Sequence, residues 1–209
     1  MPRTHPKPES GGLLFWCSPE VTASRAVDRV LTAFLPRIQA AARERDEAPG
    51  LLSELLRHPP ERRELLVRNS QRFRNLPLSG LLLQQGGRSS VDDPWEGERL
   101  AMLALALVES LDPSWYGEQV LADARGRCWM IAGNARGIAA NLRGAGQAFR
   151  QAAADLGRGT GDLLEQAQLR TLKAGLRRRV RRSRRLSLSA PRRRAARPPR
   201  PPAARTPRR

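Results

Sequence analysis

"WMIAGNARGIAANLRGAGQAF", residues 129–149, decides how the chain is read. It is too apolar for a linker and too rich in glycine for an isolated helix. Large and small residues recur at helical spacing: Trp129, Gly133, Ala145 and Phe149, with Ala152 just beyond. Two antiparallel helices joined by a turn around Ala139 to Asn141 would use that pattern. Helix backbones approach closely only at small residues, and large side chains fill the space beside them. Gly133 and Ala145 are then the expected contact points, Trp129 and Phe149 the fillers, and Ala152 a third small residue facing the next hairpin.

The flanking sequence reads as more helices. On the C-terminal side, "GTGD" is a loop, and residues 163–176 return to helical spacing. On the N-terminal side, residues 114–137 make one long helix, with Val120, Ala124, Trp129 and Ala132 on a shared face. Before it, Asp92-Asp93-Pro94 is a strong helix start. The helix it opens, "WEGERLAMLALALVESL", is apolar on most faces and so is expected between neighbours. Asp112-Pro113 ends it. "LSGLLLQQGG" is a helix closed by Gly86-Gly87 and separated at Pro77 from a helix over residues 59–73. "LLSELLRH" is a short helix stopped by Pro59-Pro60. Ser18-Pro19 starts the first helical segment, where Val27, Val30, Leu31, Phe34 and Ile38 share a face; a kink is expected at Pro36 and an end at Pro49-Gly50. No stretch reads as a strand. The fold class expected is all-α, built from stacked antiparallel helical hairpins.

Composition agrees. Hydrophobic residues make up 40% of the 209 residues and aromatics only 4%, so the core must be built from Leu, Ala and Val. The net charge of +18 is concentrated at one end. Residues 177–209 hold 15 Arg and no acid, which leaves 23 basic against 20 acidic groups elsewhere. The expected organisation is a disordered N-terminus over residues 1–17, N-terminal helices over 18–58, a hairpin array over 59–176 and a disordered Arg/Pro-rich tail over 177–209. Such a tail would hold phosphates in a salt-sensitive, sequence-blind way, which admits non-specific nucleic acid as a partner. The alternative is that the tail is an out-of-frame extension of a truncated, longer repeat protein. No run approaches the roughly 20 apolar residues of a membrane span, so no membrane partner is expected and the cytoplasm is the default location.

No catalytic constellation stands out. His5 and His58 are the only histidines, and Cys17 and Cys128 are far apart, so neither a metal site nor a cofactor is expected. "GRGTGD", residues 157–162, lacks the Lys-Ser/Thr ending of a phosphate loop and reads as a connection between helices.

The spacing of Trp129, Gly133, Ala145, Phe149 and Ala152 resembles the signature of a tetratricopeptide repeat, a 34-residue helical hairpin. One clear unit covers residues 126–157, with degenerate units on either side. Arg136 stands where an aromatic is usual, Ala132 where Leu is usual and Gly157 where Pro is usual. The resemblance implies a non-enzymatic protein–protein interaction module that holds a protein or peptide on the concave face lined by first helices. Asn134 and Ile138 would project there, with Arg127 supplying charge. The family's carboxylate-binding members also place a Lys where this chain has Met130, so a carboxylate clamp is not implied. An array ending in an unpaired first helix at residues 163–176 would leave an apolar face open, which makes self-association an expected outcome.

Overall fold

The computed structural model describes residues 19–189. These residues are 85% helical and contain eight α-helices and no strand. The chain divides into two units, Met1–Glu47 and Ala48–Arg209. None of the described helices is long and apolar enough to cross a membrane.

The first helix, α1 (Pro19–Leu56), starts where Pro at a first turn predicts but does not stop where expected. It runs through Pro36 and through Pro49-Gly50, so the end at Pro49-Gly50 and the separate short helix over 51–58 are corrected to one continuous helix. At Pro49 the physical reason is burial on either side. Ala48, Leu51 and Leu55 sit in the core of the second unit and hold the turn that contains the ring. Pro36 has no such anchor, and nothing in the structure accounts for its tolerance. In the first unit Leu31, Phe34, Leu35 and Ile38 are exposed.

The second unit continues with α2 (Pro60–Asn69), a single 3-10 turn (Gln71–Phe73) and α3 (Leu76–Ser89). Pro77 does not break a helix; it sits in the first turn of α3, where its missing N–H costs nothing. Asn75 caps that turn by accepting the Leu78 N–H at 2.8 Å. Gly86-Gly87 does not end α3 either. The helix passes through both because it crosses α4 (Pro94–Glu109) there. A Cβ on Gly97 would meet the Ser90 side chain and lie 2.8 Å from the Gly86 carbonyl, so the two backbones touch. Asp93 caps α4 by accepting the Trp95 and Glu96 N–H groups at 3.0 and 3.1 Å.

The expected long helix over 114–137 is divided. A short α5 (Pro113–Tyr116) ends at Gly117, whose φ of 88° is open to glycine and ends the turn. Then α6 (Glu118–Ile138) and α7 (Leu142–Leu156) form the antiparallel hairpin of the opening stretch. The turn falls where expected, with Asn141 accepting the Gly144 N–H at 2.9 Å. The pairing differs in register. A Cβ on Gly133 would lie 2.7 Å from Phe149 Cε1 and 3.2 Å from Ala148 Cβ, so Gly133 makes room for Phe149 rather than meeting Ala145. Ala145 faces Gly137 instead, and Gly126 faces Ala152 and Leu156. Val120 is exposed and leaves the face it was expected to share with Ala124 and Ala132, which are buried.

The last helix, α8 (Leu163–Ser189), runs well past residue 176. The expectation of disorder from Arg177 is therefore corrected for residues 177–189. Arg is a good helix former, and no Pro interrupts the chain before Pro191. The expected disorder of residues 1–17 and 190–209 lies outside the described residues.

In the second unit α3 packs on α4, α4 on α6, α6 on α7 and α7 on α8, while α2 packs on α4 and the short α5 on α6. Lighter contacts join α3 to α6 and α6 to α8. Two cores result. One gathers α1, α3, α4 and α6 around Leu55, Leu82, Leu107 and Ala132; the other gathers Met130, Ala145, Phe149, Ala152 and Leu169 from α6, α7 and α8. Trp129 packs against both. Ala152 is buried in the second core, and its carbonyl lies beside Gly126 of α6.

Candidate binding groove

The apolar stripe of α4 is wider than its neighbours cover. Between α2, α4 and Trp129 of α6 it forms the floor of an open groove of about 760 Å³. Met102, Leu103 and Ala106 lie on that floor. Two tryptophans frame it. Trp95, placed by the capped start of α4, is 61% exposed, an unusual cost for a large aromatic ring. Trp129 is half-buried and shows one edge to the groove.

The rim is charged and mostly paired. Arg63 of α2 reaches Glu96 at 3.3 Å and donates to the Leu56 carbonyl at 3.0 Å, which ties α2 to α4 and to the end of α1. Arg99 pairs with Glu96 at 2.7 Å, and its pKa is raised, first by the hydrogen bond to that carboxylate. Arg68 pairs with Glu64 at 3.0 Å. Arg136 pairs with Glu98 at 2.8 Å while its guanidinium lies 6.0 Å from the Trp129 ring centre, within cation–π range. Trp129 is therefore fixed from above by Arg136 and from below by two cores. Glu61 and Glu109, also on the rim, make no ion pair with a described residue. The groove offers an apolar floor, two tryptophans and a charged border. That chemistry suits an extended or helical peptide segment.

The residues singled out from sequence sit elsewhere. Arg127 pairs with Glu165 of α8 at 3.6 Å. Asn134 lines a small cleft of about 170 Å³ between α6, α7 and α8, shared with Gly137, Thr171 and Gly175. Ile138 is the last residue of α6 and is partly exposed. These three share the α6 side that α8 approaches and do not border the larger groove. Of the five signature residues only Trp129 reaches the groove; Gly133, Ala145, Phe149 and Ala152 are buried between helices. Sequence reasoning missed Trp95, Met102, Glu61 and Glu109. Trp95 carried a signal, an aromatic directly after a Pro helix start, where a buried position is uncommon.

"GRGTGD" is a structural loop. Thr160 donates its N–H at 3.0 Å and its hydroxyl at 2.6 Å to Asp123 Oδ2 of α6, and Gly159 leaves room for that carboxylate. Asp155 is buried beside Arg158, 2.5 Å away, and Arg125, 3.9 Å away. Among the described residues no group of three or more His, Cys, Asp or Glu is placed to hold a metal ion. Cys128 is buried in the α4–α6 core, and burial pushes its thiol up to about 12, so it stays protonated.

No family model matches the chain, and no curated protein or solved structure is similar to it.

Proposed function

We propose that the protein is a non-enzymatic protein-binding module of tetratricopeptide-like type, which receives a peptide segment of a partner protein in the groove between α2, α4 and α6. The observation that carries this reading is Trp95, held exposed at the mouth of an apolar groove by a capped helix start. The repeat-like character is supported by the antiparallel α6–α7 hairpin that carries the signature residues. The groove is better furnished for a partner than the first-helix side, where Arg127 is engaged by Glu165 and Asn134 opens onto only a narrow cleft. The test is selection of peptides on the full chain, followed by binding of the selected sequences to Trp95→Ala and to Asn134→Ala. The groove reading expects the first substitution to weaken binding and the second to leave it unchanged; the reverse would return the partner to the first-helix side.

A second reading has its own observation. Arg177, Arg178, Arg179, Arg181, Arg182 and Arg185 are exposed on α8 with no acidic residue among them, a helical arrangement suited to tracking phosphates. Duplex DNA binding with a steep salt dependence, lost on replacing these arginines by Gln, would support it.

A further inference from the structure

The groove and the chain's own C-terminal sequence fit each other. We propose that residues 200–205, Arg-Pro-Pro-Ala-Ala-Arg, dock in the groove of their own chain. The proposal rests on reading the groove as a peptide seat and names an occupant for it.

Charge is the first argument. Of the carboxylates bordering the groove, Glu64 and Glu98 are neutralised by Arg68 and Arg136, while Glu61 and Glu109 are in no ion pair among the described residues. The 20 residues after α8 contain eight Arg and no acid. Spacing is the second. Arg63 pairs with Glu96 at 3.3 Å, which sets the start of α2, with Glu61, beside the first turns of α4 that carry Arg99. From Arg99 to Glu109 the helix rises about 15 Å. From Arg200 to Arg205 an extended proline-type backbone also spans about 15 Å, at roughly 3.1 Å per residue. One arginine can therefore meet each free carboxylate. Between them lie Pro201, Pro202, Ala203 and Ala204, all uncharged, over the floor framed by Trp95 and Trp129. Proline-rich segments are commonly held in aromatic-lined grooves because their extended form is preset and little entropy is lost on docking.

Reach is the third argument. Arg179 of α8 lies against Gly137 at the end of α6, and the adjacent Arg136 already contacts Glu98 on the groove's border. The final ten residues of α8 extend about 15 Å beyond Arg179. The 11 residues from Ser189 to Arg200 can cover about 34 Å, enough to return to the groove.

The test places the photoreactive residue p-benzoylphenylalanine at position 95 of the full chain, where an exposed Trp shows that a large aromatic is accommodated. Mixed isotope-labelled and unlabelled protein is irradiated, and the cross-linked peptides are sequenced. The proposal expects cross-links to residues 197–205 of the same chain, reduced at least about five-fold in the Glu61→Arg, Glu109→Arg variant. Cross-links to Leu31, Phe34, Leu35 or Ile38 of a second copy would overturn it and make α1 the occupant. An absence of internal cross-links, with a selected peptide still captured, would overturn the proposal and leave the groove reading intact. Capture of neither would overturn both.

Discussion

Replacing Gly133 by Ala should reveal how tightly the α6–α7 hairpin is packed. In an exposed helix such a change gains about 1 kcal/mol, because Ala has less backbone entropy to lose. At Gly133 the new methyl would lie 2.7 and 2.8 Å from two ring carbons of Phe149 and 3.2 Å from Ala148 Cβ. Phe149 is 3% exposed and enclosed by Met130, Ala152 and Leu156, so its ring cannot simply turn away. Overpacking of this kind costs about 1–3 kcal/mol. The net effect is a loss of about 0–2 kcal/mol. Gly80 supplies the control: it is helical and exposed, and an added Cβ meets nothing within 4 Å. Gly80→Ala should stabilise by about 1 kcal/mol. Urea denaturation of both variants then measures a difference of about 1–3 kcal/mol, with Gly133→Ala the weaker. Adding Phe149→Leu to Gly133→Ala should recover part of the loss through pairwise coupling. If Gly133→Ala stabilises as much as Gly80→Ala, the two helices do not meet where the structure puts them.

Asp93→Ala should remove the cap of α4 and cost about 1 kcal/mol in the same denaturation assay, while slackening the position of Trp95. Cys128 should resist alkylation at pH 8 in the native state and react fully in denaturant, as read by site-resolved mass spectrometry, because its thiol is buried and raised to about 12. Burial holds the Glu165 carboxyl above its ordinary value of 4.5, against the opposing pull of Arg127. A raised carboxylate pKa gives stability that is present below the unfolded value and lost as pH rises through the folded one. Glu165→Gln should therefore gain on the wild type as pH rises above 4.5, by less than about 1 kcal/mol for a partly exposed group, in thermal melts taken at rising pH.

Much of the helical content was legible because periodicity and capping act locally. Asp93-Pro94, the turn at Ala139 to Asn141 and the "GTGD" loop all carry their own backbone chemistry, and each stands where the sequence put it. Two of the misread helix ends share one cause. Pro49 and Gly86 break helices in isolation, but tertiary burial of Leu51 and Leu55, and the close crossing of α3 on α4, override that preference. Register within the hairpin was not legible. The choice between Ala145 and Phe149 opposite Gly133 turns on where one backbone slides along the other. The groove was harder still, because it is defined by what α2 leaves uncovered on α4. No spacing within α4 distinguishes Met102, which lines the groove, from Leu107, which is buried.

The account stands most directly on whether a peptide binds at Trp95. A peptide selected on the full chain, labelled with fluorescein, should lose at least about 30-fold in affinity on Trp95→Ala, the effect of removing a central aromatic anchor, with the circular dichroism spectrum unchanged. Equal affinity for the two proteins would contradict the groove as the protein's binding site.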